Sequence, residues 1–469
     1  MKTHRIIFYH KIEDNSNHLN NFTLIITMST STENTQHFPF MDNLSESDIM
    51  DTEEDILETI HEYYETEFIR YCSTDFTKNL VVSISEPLFD EWVNYGLCTD
   101  TEEDYIEIEA FVNTQLEKYV TEFRYGIPPR QTSFSNCEPQ NKNTITQKIK
   151  RLLSITQNEQ RTTEWQEQRH NMLTASNIYK LLGSEAQYNS LIYEKCKPIV
   201  EYSNTHYVNT ESTLHWGVKY EPITKMIYES MYGAKISEFG CIPHPQHAFI
   251  GASPDGIITD STHPRYGYMI EIKNIVNREI DGIPKEEYWV QMQIQMENCD
   301  LEYCDFVETR IKEYDTKEAA FDDSEPREYK GVILYFIRKM MVANSEEIYD
   351  GSPFYVYMPF DISYTTEGVE QWTRDMKNQY NEDFVLFKTI YWYLDEISCV
   401  LVPRNKYWFE YALPIFKKAW ETIQEERISG YEHRCPNKKK KIVIDTSGEV
   451  HVIQNMPLSS GICLIKMDS

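Results

Sequence analysis

Positive charge is scarce in this chain. Its 469 residues carry 45 lysines and arginines against 75 aspartates and glutamates, a formal net charge of −30. That excludes a broad electrostatic grip on a polyanion, because affinity for nucleic acid comes largely from Lys and Arg displacing counterions. The deficit is uneven: residues 1–145 hold 27 acidic and 9 basic side chains, leaving 48 and 36 for the rest. Much of the misfit belongs to the front of the chain, and a bound divalent metal would offset more of it locally. Long apolar runs are also missing. None reaches the roughly 18 residues of a membrane span, and the N-terminus has no signal-peptide pattern, so the expectation is a soluble intracellular protein with no membrane partner. The ten cysteines are scattered without CxxC pairs or a His-spaced pattern, which argues against zinc and iron–sulfur sites and suits reduced thiols. Cys299 and Cys304, the closest pair, read as small core residues at a helix-to-strand junction. There is no internal repeat.

What is present is enough apolar material for a sizeable core, 41% hydrophobic with 13% aromatic, in a chain long enough for two or three units. Residues 1–47 read as a flexible segment, with a Ser/Thr/Asn-rich stretch from Met28 to Gln36. Residues 48–126 carry helical periodicity (Ile49, Ile56, Ile60, then Tyr105 to Phe123) and form an acidic helical domain, either a partner-docking module or an appended packing domain. Residues 127–145, with Pro128-Pro129, read as a linker. A larger domain follows over 146–430, then a tail, 431–469, with the basic run Lys438-Lys439-Lys440-Lys441.

The chemistry concentrates between Phe249 and Lys273. Period-2 alternation on both sides of Ser253-Pro254-Asp255-Gly256 predicts a strand, a turn and a second strand. In the second, Glu271 and Lys273 leave one face while Ile270 and Ile272 take the other. Asp255 ends the first strand. Two such acids can hold Mg²⁺ and keep an ammonium beside a metal-bound water, which is phosphodiester-hydrolysis chemistry; alone, the same pattern also suits a solvated strand face.

Three other stretches bear on this. Arg169 precedes Thr174-Ala175-Ser176, where a helix is expected to start; its first-turn N–H groups with Arg169 would suit a terminal phosphate, though on spacing alone an ordinary N-cap beside a surface arginine fits better. Glu221, on a predicted helix with Leu214 and Val218 in its stripe, is expected to face inward, and Pro222 to kink that helix. Tyr288, Gln291 and Gln295 share one face of a third helix at i, i+3, i+7 spacing, a polar stripe for hydrogen bonding or an amide ladder.

Taken in order, Arg169 with Thr174-Ala175-Ser176, Trp216-Gly217 with Tyr220-Glu221, Ser253-Pro254-Asp255-Gly256 with Glu271-Ile272-Lys273, and Tyr288 with Gln291 resemble the lambda-type exonucleases, also called YqaJ-type viral recombinases, of the PD-(D/E)XK nuclease superfamily. The similarity covers about residues 145–310, and the composition also resembles homologues from large DNA viruses. The resemblance implies an α/β fold, a restriction-endonuclease-like mixed central sheet flanked by helices, here with the acidic helical region appended. It implies a Mg²⁺- or Mn²⁺-dependent deoxyribonuclease acting on duplex DNA with free ends, 5′ to 3′, in viral DNA recombination, processing or destruction of foreign DNA. Asp255, Glu271, Glu221 and the backbone carbonyl of Ile272 match metal ligands, Lys273 and Gln291 match groups that position or activate the attacking water, and Arg169 and Ser176 match binders of the DNA 5′-phosphate. A homo-oligomer (dimer or trimer), a recombination or helicase partner, and location in host cytoplasm or virion go with the resemblance. The alternatives are a structure-specific endonuclease and a non-catalytic DNA-end-binding scaffold. One departure is the longer span from Asp255 to Glu271, where His263-Pro264-Arg265 is expected to touch DNA; a longer hairpin loop costs little in closure entropy.

Overall fold

The computed structural model describes residues 38, 39, 41, 44–122, 127–137, 139–158, 162–199, 210, 212–341 and 347–435, with the short strands at 5–10, 22–27, 441–444 and 450–453. The Met28 to Gln36 stretch and Lys438-Lys439-Lys440 lie outside the described residues.

The chain opens with a two-stranded antiparallel ribbon, β1 (Arg5–His10) and β2 (Phe22–Thr27). Three helices follow: α1 (Glu46–Glu67), α2 (Phe76–Tyr95) and α3 (Glu102–Glu122). Ser45 starts α1 with a capping box, its hydroxyl accepting from Asp48 N at 3.2 Å while the Asp48 carboxylate accepts from Ser45 N at 3.1 Å. Gly96, at φ 72°, ends α2 in the left-handed conformation that glycine adopts without a Cβ penalty. Ile56, Leu57 and Ile60 of α1 are buried in the inward stripe that the periodicity marks.

The larger region runs α4 (Lys142–Ser154), α5 (Thr163–His170), β3 (Leu173–Thr174), α6 (Glu185–Cys196), α7 (Thr213–Tyr232), β4 (Ile236–Ser237), β5 (Ile242–Pro243), β6 (Ile250–Ala252), β7 (Gly256–Ile258) and β8 (Met269–Asn274). It continues with α8 (Glu286–Cys299), β9 (Tyr303–Glu313), α9 (Lys317–Asp322), β10 (Lys330–Met341), β11 (Glu347–Tyr357), α10 (Thr366–Tyr380), β12 (Phe384–Pro403) and α11 (Lys406–Ser429), then the ribbon β13 (Lys441–Ile444) and β14 (Val450–Ile453). The central sheet has the order β11-β10-β12-β9-β8-β7-β4. It is mixed. Only β8 and β9 pair in parallel, joined by the crossover helix α8 that such a pair requires, and its other pairings are antiparallel. A second sheet, β3-β6-β5, stands beside it.

Both faces of the central sheet are covered. On one side Ile270, Ile272 and Val307 pack with Tyr228 of α7, and Ile311, Ile333 and Ile390 pack with its Tyr220, Ile223 and Ile227. On the other, Met269 and Phe306 join Trp289, Val290 and Met292 of α8 and Trp408 of α11. The result is the α/β architecture of mixed sheet and flanking helices, with a helical N-terminal region.

That N-terminal region shares the second core. Ile56, Leu80 and Phe111 belong to one buried cluster with Trp289 and Trp408. Tyr71 meets Trp289 edge-on at 5.9 Å, Trp289 meets Trp408 at 5.1 Å, and the Trp408 indole donates to Ile69 O at 3.0 Å. Arg130, in the stretch read as a linker, reaches both sides through the carbonyls of Cys72 and Pro284. α4 begins at Lys142, inside that same stretch.

Candidate active site

Three sequence expectations change shape in the folded chain. The strand expected from Phe249 to Gly256 is two strands in different sheets, β6 and β7, joined by Ser253-Pro254-Asp255. Pro254 cannot donate to a ladder, so it suits the point where the chain leaves one sheet for the other. No helix starts at Thr174 or Ser176. Leu173–Thr174 is a short strand parallel to β6, with Ala175 N donating to Gly251 O at 2.9 Å, and the turn after it is a 3₁₀ helix of 4 residues. The tertiary pairing with β6 overrides the local capping signal. Glu221 does not face the core either. Its side chain is 37% exposed, and the stripe on which it was placed fails at Leu214, which lies in solvent; Tyr220, Ile223 and Ile227 form the buried face of α7, which continues through Pro222.

Around the C-terminal half of β8 the predicted residues converge. Glu271 and Lys273 project from the α8 side. Glu271 is fully buried, its Oε1 bonded to Lys273 Nζ and its Oε2 accepting from Gln295 Nε2 at 2.7 Å. Lys273 Nζ also donates to Gln291 Oε1 at 3.2 Å and lies 4.8 Å from the Tyr288 ring centre. Asp255 meets β8 from the β6–β7 link, its Oδ2 accepting from Ile272 N at 2.7 Å. Burial, then the charges of Glu271 and Glu221, push the Asp255 carboxyl well above the usual carboxylate range. Burial pulls Lys273 the other way, but Glu271 and Asp255 outweigh it and hold the ammonium above its ordinary value.

Glu221 reaches this group by its field rather than by contact. Its carboxylate pairs with Lys225 at 2.8 Å, and Lys225 in turn bonds Glu238 at 2.8 Å. Among the described residues no three His, Cys, Asp or Glu side chains are gathered into one coordinating group. The donors at β8 nevertheless fit a hard divalent cation: they are carboxylate and carbonyl oxygens, and the like charges that raise Asp255 are those a dication would neutralise.

The second set, Arg169 and Ser176, sits next door. Arg169 Nη2 donates to Ser176 Oγ at 3.3 Å, and its guanidinium lies 4.5 Å from the Trp165 ring centre. The β3–β6 pairing places Ser176 beside the strand whose next residues are Ser253 to Asp255. Burial lowers the Arg169 pKa, an arginine that nonetheless stays charged.

Residues 164–302 match the YqaJ-like viral recombinase domain. That span contains Arg169, Ser176, Glu221, Asp255, Glu271, Lys273 and Gln291 in the order the motifs require. The similarity to that domain thus covers the stretch in which the site residues converge. It is 29% identical over 303 residues to an uncharacterized protein of Acanthamoeba polyphaga mimivirus, a match that covers 58% of this chain and 54% of that protein, so the chain spans about half the length of this relative. Solved structures similar to it include an alkaline exonuclease, LHK-Exo, from Laribacter hongkongensis (19% identity, 58% of this chain and 95% of that one, TM-score 0.31). The same protein in complex with dAMP matches at 21% identity over the same shares, TM-score 0.31, and a phage-related exonuclease from Haemophilus somnus at 13%, covering 56% and 95%, TM-score 0.29. None of the helices among the described residues is long and apolar enough to cross a membrane.

Two partnerships around β8 escaped the sequence reading. Gln295 was visible on the Tyr288–Gln291 stripe, but nothing local gave it Glu271 as a partner. Arg278 and the buried Glu308 form an ion pair behind Tyr288, whose ring centre is 5.8 Å from the Arg278 guanidinium. Glu308 lies opposite Lys273 in the parallel β8–β9 register, a pairing no spacing rule supplies. Arg265, expected to touch DNA from the hairpin loop, is instead committed inward. It binds the buried Asp305, is stacked by Tyr232 at 4.5 Å and Phe134 at 4.8 Å, and His263 bonds the carbonyl of Tyr232 at 3.0 Å.

Proposed function

We propose that this chain is a Mg²⁺- or Mn²⁺-dependent deoxyribonuclease that enters linear duplex ends and removes nucleotides from the 5′-terminated strand, in DNA recombination or end processing. The observation that carries the reading is the convergence of Asp255, Glu271, Lys273 and Gln291 at one end of β8, with Arg169 and Ser176 tied alongside by the β3–β6 pairing. Asp255, Glu271 and the Ile272 carbonyl would hold the cation, with Glu221 adding negative charge from α7. A bound dication would polarise the scissile phosphate and make a neighbouring water acidic.

The chain's own groups do the rest. Lys273 stays protonated and, anchored between Glu271 and Gln291, presents its ammonium to the charge that develops on the phosphate. Gln291 fixes the direction of that ammonium and offers its amide N–H to a water. Gln295 keeps Glu271 in one rotamer. Arg169 and Ser176 hold the terminal 5′-phosphate by a charged fork and a hydroxyl.

End-labelled linear and covalently closed circular duplex, incubated with Mg²⁺, Mn²⁺ or EDTA, test this directly. Linear DNA should be shortened only with metal and circles left intact. Loss of the labelled 5′ end as mononucleotide fixes polarity. Cleavage in EDTA, cutting of circles, or full activity in Asp255→Asn would each overturn the proposal.

A further inference from the structure

Arg169 is held from behind by a buried lysine. Lys195, in the last turn of α6, is only 5% exposed, and its Nζ donates to the backbone carbonyl of Arg169 at 2.7 Å. α11 clamps the same place: Arg427 donates to Lys195 O at 2.8 Å and to His170 O at 2.8 Å, and its other guanidinium nitrogen bonds Asn171 Oδ1 at 3.1 Å. The end of α5 is thus fixed by two cations from two other helices.

The charges here do not balance. A buried ammonium normally has a carboxylate partner, yet among the described residues none forms an ion pair with Lys195. Glu194, its neighbour on α6, pairs with Lys180 at 3.3 Å. Arg169 donates from its side chain to a neutral hydroxyl, Ser176 Oγ. Facing Lys195 are Arg169 and His170 from α5, Glu194 from α6, Arg427 from α11 and Cys241 ahead of β5. Burial pushes the Lys195 ammonium down to about 8, with the upward pull of Glu194 opposed by the guanidiniums of Arg169 and Arg427. Positive charge held in excess at a half-open site is what an incoming phosphate dianion would neutralise.

We infer that Lys195 is a positioning residue for the DNA-end phosphate: it sets the main chain of Arg169 and adds a second positive charge behind the guanidinium. This rests on the reading of Arg169 and Ser176 as the phosphate-binding pair. The sign of its pH response follows. A bound dianion favours the protonated lysine, so binding takes up a proton, and the benefit fades as pH rises past about 8.

The experiment is equilibrium binding of the full chain, in EDTA, to blunt duplexes that differ only in a 5′-phosphate or 5′-hydroxyl, read by fluorescence anisotropy from pH 7 to 9.5. Wild type should prefer the phosphorylated end and lose much of that preference toward pH 9.5. Lys195→Met should reduce the preference about tenfold with the 5′-hydroxyl Kd unchanged, and Lys195→Arg should restore it and remove the pH dependence. A wild-type preference in Lys195→Met, alongside its loss in Arg169→Gln, would overturn the role of Lys195 and leave the pocket standing. An unchanged preference in Arg169→Gln would sink the pocket itself. Should Lys195→Met fail to fold, a pH-independent wild-type preference still overturns the inference.

Discussion

At the scale of single residues, Asp255 and Arg265 show how environment decides what a charged group does. Asp255 faces Glu271 across β8 and feels Glu221 from α7, so its carboxyl is pushed up and the folded chain without a cation carries stored repulsion. The sign of the consequence is fixed. A carboxyl whose folded pKa lies above its unfolded value binds the extra proton in the native state, so stability is present below the unfolded value, about 4, and is lost as pH rises through the folded one. In EDTA, thermal melts of the wild type should weaken as pH rises from 5 to 8, and Asp255→Asn should flatten that slope and raise the Tm at pH 8 while abolishing cleavage. Arg265 is the reverse case. Its partner Asp305 is buried, so Arg265→Ala leaves an unpaired carboxylate inside the sheet and should cost about 3–5 kcal/mol in urea denaturation. Binding of DNA by the folded fraction should not change. A loss of DNA affinity without a loss of stability would return Arg265 to the interface.

At the scale of elements, α8 carries the polar stripe that braces β8. Tyr288, Gln291 and Gln295 succeed one another along it, and the last donates to both Glu271 and the carbonyl of Ser253, joining β8 to the β6–β7 link, the two segments that bear the acids. Gln295→Leu keeps the volume but leaves Glu271 Oε2 buried without a donor, which should destabilise by about 1–3 kcal/mol and lower kcat more than it changes KM for DNA; denaturation and steady-state kinetics separate the two. Elements also mark where the sequence was legible. The alternation of β8, the Ile56 and Ile60 stripe of α1 and the Tyr288, Gln291 and Gln295 face of α8 could be read because their periodicity is set by the same burial that the fold imposes. The unread parts depend on partners far along the chain. β3 is a strand only because β6 lies beside it. Glu221 turns outward because Tyr220 and Ile223 take the core face. Arg265 finds Asp305 only once β9 has been laid next to β8.

At the scale of the whole molecule, the acidic helices are not hung on the outside. Their side chains complete the cluster that holds α8 and α11, and burial of an aromatic such as Tyr71 or Trp408 is worth about 1.5–3 kcal/mol. Removing residues 1–126 should therefore expose the Trp289–Trp408 pair and yield a chain that aggregates or melts well below the full-length protein, visible as a red-shifted tryptophan emission. A fully stable, fully active truncation would contradict that. The net charge has its own consequence for the proposed function: little of a hold on DNA could come from diffuse attraction. The short parallel ladder between Thr174 and Gly251 then takes on a metrological meaning. If the chain acts as proposed, main-chain atoms, which cannot swing as side chains do, would join the anchor for a strand's terminus to the centre that severs it, so the gap between them would be a fixed ruler and whatever is clipped off at each advance would be measured by the backbone itself.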